Sequence, residues 1–208
     1  MIHLLDNDIV QKLAIFDLLD HALVARGATR SDAYLLPTLK YRIGGKARGK
    51  AENRLGKDVV DRIHAFLKDA REIQVCSNDD ALVLEDVMGI DQGEVVILSA
   101  TASLVDYRIL TGDKRCLRTV ATHPQCKGIA GRIRGQVICL EQVVCRMIVH
   151  FGFEHIRDKL VPYLDCDAAL RAAFGSGKES TESNSVACLQ EYIAELRGLP
   201  VDLLVVED

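Results

Sequence analysis

Residues 89–118 constrain the fold of this chain more than any other segment. Residues 95–105 are apolar and predict a helix, while residues 107–111 are short, β-prone and followed by a glycine, which predicts a strand. Residues 114–120 predict a second helix. A helix of about a dozen residues travels roughly 18 Å, and a strand of about five residues returns roughly 16 Å. The segment therefore predicts a helix packed antiparallel to the strand that it feeds, as in an α/β layer.

Acidic residues mark the junctions of this segment. Asp91 and Glu94 open the first helix, and Asp113 follows the strand. Because the start of the helix and the end of the strand lie at the same edge of the sheet, we expect Glu94 and Asp113 to be close in space. That edge, outside the carboxyl ends of the strands, is where open α/β sheets usually bind their ligands.

The beginning of the chain has the same arrangement. Residues 2–5 are apolar, Asp6 and Asp8 follow, and residues 9–23 place apolar side chains at helical spacing. Asp6 therefore stands at the exit of a predicted first strand, as Asp113 does later. The alternative role for Asp6 or Asp8 is to cap the helix through a side-chain oxygen. Capping and metal binding are compatible, because both need an oxygen at the start of a helix.

Alternation of strands and helices continues along the chain and predicts the fold class. Further strands are predicted at residues 73–76 and 136–140, and a loop at 123–134. The other predicted helices are 32–39, 58–70, 81–88, 141–150, 154–164, 167–174 and 186–197. We expect an α/β protein with a three-layer α/β/α fold, a short, mainly parallel central sheet and a C-terminal helical extension.

The same reading divides the chain into three parts. Residues 1–174 are predicted to form the α/β domain, with a basic insert at about 40–57. Residues 175–185 are small and polar and predict a flexible linker. Residues 186–208 predict a helix and an apolar tail, which either adds an edge strand or docks on a protein partner or a second copy of the chain.

Composition and charge exclude several classes of protein. The 208 residues are 49% hydrophobic, enough to bury one substantial core, and the net charge of −4 provides no overall basic field for nucleic acid. Seven cysteines without a C-x-x-C pair predict reduced thiols in a reducing compartment. The chain begins without the basic region of a signal peptide, and no apolar run is long enough to cross a bilayer. We therefore expect a soluble, cytoplasmic protein that makes no membrane contact.

Positive charge is concentrated in residues 40–57, where seven basic residues oppose only Glu52. Such a segment can follow a phosphate backbone, and a solvated surface segment is an equally good interpretation. The candidate nucleic-acid contacts are Lys46, Arg48, Lys50, Lys114 and Arg115.

No nucleotide-binding or hydrolase motif explains the chain, since G-x-G-x-x-G, a complete P-loop, H-E-x-x-H and G-x-S-x-G are all missing. What remains is a set of carboxylates: Asp6, Asp8, Asp91, Glu94 and Asp113. Crowded carboxylates raise one another's pKa unless a cation lies between them. Hard oxygen ligands favour Mg²⁺ or Mn²⁺ over zinc, and such a cluster can support attack of water on a phosphodiester. Asp91 and Glu94 also fit a capping box, which explains that pair without catalysis.

Three motifs resemble those of the PIN-domain (PIN-like) nucleases. They are the opening strand IHLLD that ends at Asp6, the D-x-G-E sequence of residues 91–94, and the L-T-x-D sequence of residues 110–113. The resemblance covers roughly residues 1–145. It implies a metal-dependent nuclease, most often acting on RNA, in which Asp6, Glu94 and Asp113 are catalytic and bind Mg²⁺ or Mn²⁺.

The chain departs from the family pattern at residues 38–42. Family members commonly carry a further acid on the second helix, but this segment reads Thr-Leu-Lys-Tyr-Arg. Two alternatives follow: either Asp8 or Asp91 replaces that acid in space as a metal ligand, or the site holds one metal weakly. The expected function is a metal-dependent endoribonuclease that hydrolyses single-stranded RNA. The alternative is a PIN-like module with weakened catalysis that binds RNA or a protein partner.

Overall fold

The central sheet of the protein contains parallel strands only. A computed structural model describes residues 1–75 and 77–206, and within them it has five strands in the order β3-β2-β1-β4-β5. Every neighbouring pair is parallel. The strands are β1 (Ile2–Leu5), β2 (Ala33–Leu35), β3 (Arg71–Glu72), β4 (Tyr107–Thr111) and β5 (Val137–Cys139). The predicted α/β class with helices on a parallel sheet is confirmed.

Helices connect the strands and cover both faces of the sheet. Between β1 and β3 lie α1 (Asn7–Ile15), α2 (Leu19–Val24), α3 (Thr38–Ile43), α4 (Arg48–Leu55) and α5 (Lys57–Leu67). Between β3 and β5 lie α6 (Asp79–Glu85), α7 (Gln92–Ala100), α8 (Lys114–Thr122) and α9 (Lys127–Ile133). After β5 follow α10 (Leu140–Phe151), α11 (Phe153–Leu160), α12 (Ala168–Phe174) and α13 (Glu182–Arg197).

Two apolar cores lie on opposite faces of the sheet. Successive strand residues point to opposite faces. Leu5 and Leu110 accordingly belong to one core, with side chains of α1, α5 and α10, whereas Leu4 and Ile109 belong to the other, with side chains of α7, α8 and α9. Strands β1, β2, β4 and β5 are mostly apolar because they are buried on both faces, as parallel sheets generally are, whereas the edge strand β3 is charged and exposed.

The strand order defines where a ligand would bind. From β1 the chain proceeds outwards through β2 to β3, and it then returns to the other side of β1 for β4 and β5. The connection after β1 therefore runs towards β2, and the connection after the adjacent strand β4 runs in the opposite direction, towards β5. A crevice opens at such a switch point, outside the carboxyl ends of the strands.

Three predicted elements are wrong. The helix predicted at 9–23 is broken between α1 and α2, where Asp17 has a φ of 56°. The helix predicted at 32–39 is replaced by β2, because pairing with β1 and burial of Ala33 and Leu35 override local preference. The loop predicted at 123–134 contains α9, whose apolar face was obscured by glycines within the helix.

The third predicted strand is displaced towards the N-terminus. The strand predicted at 73–76 corresponds to β3 at Arg71–Glu72. Ile73 still donates a backbone hydrogen bond of 2.9 Å to Leu35, and Cys76 lies outside the described residues.

The C-terminal part of the chain packs against the sheet and its helices. Residues 175–185, predicted as a flexible linker, contain a 3₁₀ turn at Gly177–Glu179 and the first turn of α13. The buried Ser185 hydroxyl donates to the Ala173 carbonyl at 2.8 Å. The tail pairs Leu204 with Val137 in one parallel bridge, so it lies at the β5 edge of the sheet. Residues 207–208 lie outside the described part, and the division of the chain into domains stays a prediction.

Six cysteines fall within the described residues, and all six are free thiols. None of the helices there combines the length and the hydropathy needed to traverse a lipid bilayer.

Candidate active site

An acidic pocket lies at the carboxyl ends of β1 and β4. Its volume is about 390 Å³. The acids that line it are Asp6, Asp8, Asp91, Glu94 and Asp113. Asp6 and Asp8 follow β1, Asp113 follows β4, and Asp91 and Glu94 lie at the start of α7, which leads towards β4. The predicted proximity of these acids at one edge of the sheet is confirmed.

Asp6 follows β1 and caps α1. Its side chain is 6% exposed, and its Oδ1 accepts a hydrogen bond of 2.6 Å from the backbone N–H of Ile9. Its Oδ2 accepts from the hydroxyl of Thr111. Burial raises the pKa of Asp6 to about 6, with a further contribution from the nearby charge of Asp8. Asp6 is thus both a cap and a buried acid that is costly to ionise.

Asp91 and Glu94 form the capping box that their spacing predicts. The Glu94 N–H donates to the Asp91 side chain at 2.9 Å, and the Asp91 N–H donates to Oε2 of Glu94 at 2.6 Å. Glu94 is 8% exposed. Burial raises its pKa to about 7, and the charges of Asp113 and Asp91 add to this effect. The hydrogen bonds of the capping box are therefore complete, yet the Glu94 carboxylate is held where burial disfavours its negative charge.

Thr111 connects two of the acids. Its hydroxyl donates to Asp6 and accepts a hydrogen bond of 3.0 Å from the backbone N–H of Asp113. Asp113 in turn caps α8 by accepting from the N–H of Cys116 at 3.0 Å. Although the L-T-x-D sequence includes Thr111, only the pairing of β1 with β4 indicates that its hydroxyl reaches Asp6.

Asp8 belongs to an ion-pair network next to the pocket. The Lys12 ammonium lies 2.7 Å from Asp8 and 2.9 Å from Asp167, which is on the C-terminal side of the chain. Burial opposes the charge of Lys12, but hydrogen bonds to both carboxylates outweigh it and raise the pKa of Lys12. A Cβ at Gly112 would lie 2.6 Å from Oδ2 of Asp8, so a larger residue there would displace the Asp8 carboxylate. Sequence reasoning missed Lys12 and Asp167, because only the fold brings them together.

The predicted metal ligands are carboxylates, which suit a hard divalent cation, but their side chains are not positioned around a single metal site. In residues 1–75 and 77–206, neither Asp6 nor Glu94 forms an ion pair with a basic side chain, and both have raised pKa values. A cation in the pocket would reverse those shifts. However, no group of three or more acidic, histidine or cysteine side chains among the described residues is placed to hold a metal ion.

The predicted nucleic-acid contacts are in different environments. Lys46 and Lys50 are exposed. Arg48 lies 2.7 Å from Glu52 and 2.6 Å from Asp61.

The two basic residues after Asp113 are engaged within the protein. The ammonium of Lys114 pairs with the buried Glu141 and lies 4.6 Å from the centre of the Tyr192 ring. Arg115 is exposed and lies 3.2 Å from Asp113.

Arg42 is the residue of the basic insert that the structure places at the pocket. It is exposed, and it lines the pocket. Within the described part of the chain it forms no ion pair. The sequence shows a basic residue at the end of the segment 38–42, but only the orientation of α3 shows that the Arg42 side chain lies at the pocket.

Comparison of the chain with protein-family models, with curated proteins and with solved structures finds no match.

Proposed function

We propose that this chain is a PIN-like, metal-dependent ribonuclease that hydrolyses phosphodiester bonds of single-stranded RNA in the acidic pocket. The observation that carries the proposal is the convergence of acids from three separate helix starts on one pocket at the switch point. Two of these acids, Asp6 and Glu94, are buried without a cationic partner among the described residues. Both acids accept helix-capping hydrogen bonds, but a capping oxygen does not need a buried negative charge, so a cation in the pocket would compensate a cost that capping leaves in place.

In this proposal Asp6, Glu94 and Asp113 hold Mg²⁺ or Mn²⁺, and Asp8 and Asp91 extend the acidic lining. When bound, the ion would polarise the phosphodiester and activate the attacking water. The chain itself contributes orientation. Thr111 holds Asp6 through its hydroxyl, and the α7 and α8 caps fix the backbone at Glu94 and Asp113.

Arg42 provides a second element of the proposed site. A guanidinium binds phosphate oxygens in a planar, bidentate manner. Because Arg42 lines the pocket and has no carboxylate partner within the described residues, we assign it to a phosphate of the RNA strand. Exposed Lys46 and Lys50 continue the positive charge along the same insert.

A second candidate function rests on a different observation. Asp6, Asp91 and Asp113 each cap a helix, and no three potential ligands in residues 1–75 and 77–206 are arranged for a metal. These facts favour a PIN-like module with weakened catalysis, which binds RNA or a protein partner through the basic insert.

Calorimetric titration with Mn²⁺ tests the proposed metal site. We expect one site in the wild type and at least tenfold weaker binding in Asp6→Asn and in Asp113→Asn, because each loses a charged oxygen ligand. Asp165→Asn is the matched control, since Asp165 is fully exposed and outside the pocket. Equal Mn²⁺ affinity in all four proteins would contradict the proposal and leave the binding module as the better account.

A further inference from the structure

A second polar cavity lies at the opposite edge of the sheet from the acidic pocket. Its volume is about 410 Å³, within the range of small-molecule sites. Its polar lining consists of the N-terminal Met1 and the side chains of His3, Arg26, Arg108 and Arg146. No carboxylate of the described residues lines it. It shares no lining residue with the acidic pocket.

The fold explains how these residues come together. His3 in β1 is register-paired with Arg108 in β4, so both side chains are near the amino ends of adjacent strands. Arg146 lies on α10, which packs on the face of the sheet that carries Leu5 and Ile138. Residues that are distant in the sequence therefore surround one opening.

His3 is the least expected residue of this cavity. It is 3% exposed, and its Nδ1 has no hydrogen-bond partner in residues 1–75 and 77–206. Burial lowers the pKa of His3, and the nearby charge of Arg26 lowers it further. A buried polar atom without a partner is uncommon in folded proteins, and a water molecule or a bound group can satisfy it. The charges of Arg26, the N-terminus and Arg108 lower the pKa of His3 and the charge of Asp32 raises it, so positive charge predominates here and favours an anion.

Arg108 and Arg146 are held in place by uncharged groups. Arg108 donates to the Tyr107 carbonyl at 2.8 Å and to the side-chain oxygen of Gln136, and Arg146 donates through Nε to the Ala25 carbonyl at 3.1 Å. All of these acceptors are uncharged. Within the described residues neither guanidinium has an ion-pair partner. Each keeps further N–H groups for an oxyanion.

We propose that this cavity binds a small phosphate-bearing anion, with Arg108 and Arg146 as its principal contacts and His3 as a hydrogen-bonding partner. Planar guanidinium groups match phosphate oxygens, and their positive charge suits a ligand with several negative charges, such as a diphosphate group. The proposal is independent of the function assigned to the acidic pocket, because the two cavities use different residues.

Negative charge could also come from the chain itself, since Glu207 and Asp208 follow the lining residue Val206 in the sequence. The experiment therefore includes a Glu207→Gln/Asp208→Asn variant. If the acidic end competes for the cavity, this variant binds added phosphate more tightly than the wild type does.

Calorimetric titration of the full chain with pyrophosphate, in EDTA to remove divalent metals, tests the proposal. We expect one site per chain, and at least tenfold weaker binding in Arg108→Gln/Arg146→Gln. The matched control is Arg134→Gln, because Arg134 is exposed and does not line the cavity. Arg146→Lys keeps the charge but loses the planar fork, and we expect it to weaken binding severalfold.

Thermal melting provides the second measurement and checks that each variant folds. Pyrophosphate should raise the melting temperature of the wild type and of Arg134→Gln, but not that of the double arginine variant. Two results would overturn the proposal. One is undetectable binding in both the wild type and the Glu207→Gln/Asp208→Asn variant. The other is undiminished binding in the folded double arginine variant.

Discussion

At the scale of single residues, the proposed function gives the acids of the pocket two competing tasks, to cap a helix and to hold a metal ion. Asp6 caps α1, and Glu94 closes the capping box of α7, so both stabilise local structure. Their burial nevertheless raises their pKa values to about 6 and about 7. A cap needs only an oxygen, whereas a metal ligand needs the negative charge. Amide substitutions separate the two tasks, because they keep an oxygen and remove the charge.

The raised pKa values predict how stability depends on pH. An acid with a higher pKa in the folded than in the unfolded state binds more protons when folded, so the free energy of unfolding decreases as pH rises from about 4 to about 7. In metal-free buffer, Asp6→Asn should remove part of this decrease and raise the free energy of unfolding at pH 8 by about 1–3 kcal/mol. Urea unfolding of the wild type and of Asp6→Asn at pH 4 and pH 8 measures this difference in the free energy of unfolding, with Asp165→Asn as the control.

The opposite result would show that the cap dominates. If Asp6→Asn is less stable than the wild type at pH 8 as well as at pH 4, the burial of its charge is not the main influence on this position.

At the scale of elements, the basic insert is more structured than its composition indicates. Residues 40–57 include the end of α3 and all of α4, and Arg48 is occupied by Glu52 and Asp61. Phosphate contacts are therefore expected from Arg42, Lys46 and Lys50. Exposed cations that bind RNA release counterions, so they determine the salt dependence of binding.

Replacing Lys46, Arg48 and Lys50 by Gln should weaken RNA binding about equally across RNA sequences and flatten the slope of log affinity against log salt. The loss should come mainly from the two lysines, so Arg48→Gln alone should change the slope little. Arg42→Gln should lower the slope by about one unit. Fluorescence titration of labelled single-stranded RNA at several salt concentrations measures these slopes. Unchanged slopes in the triple variant and in Arg42→Gln would show that the insert is a solvated surface segment that does not contact RNA.

The elements also show what the sequence could and could not predict. The strand at Tyr107–Thr111 and the capping box at Asp91 were predicted with their boundaries, because apolar periodicity and cap spacing are local signals. The strand at Ala33–Leu35 was missed, since three residues carry little signal and their pairing with β1 decides their structure. In the site, the acids were found from their positions after strands. Arg42 depends on the direction of α3, which no local pattern encodes.

At the scale of the whole molecule, ion pairs connect the N-terminal and C-terminal parts of the chain. Lys12 on α1 contacts Asp167, the cap of α12, and both side chains are largely buried. Lys159 on α11 contacts Asp17 in a more exposed position. The Lys12 pair attaches α12 to α1 beside Asp8, which lines the acidic pocket, and the Lys159 pair attaches α11 to the connection between α1 and α2.

Lys12→Met should destabilise the protein by roughly 3 kcal/mol, because it leaves the buried Asp167 without its cation. Lys159→Met is the matched control, and its exposed pair should contribute about 1 kcal/mol or less. Thermal and urea unfolding compare the two variants. Equal, small effects would mean that the Lys12 network does not hold the two parts of the chain together.

The central claim concerns Glu94, and one paired measurement tests it most directly. Glu94→Gln keeps a side-chain oxygen that can accept from the Asp91 N–H, so the capping box survives and the loss of favourable interaction with the helix dipole is at most about 1 kcal/mol. The neutral amide is a poor ligand for a hard cation. Thermal melting and cleavage of a single-stranded RNA in Mn²⁺ are therefore measured together, against wild type. We predict a variant that folds normally and loses most of its metal-dependent cleavage. Wild-type cleavage by a normally folded Glu94→Gln protein would contradict the proposed active site.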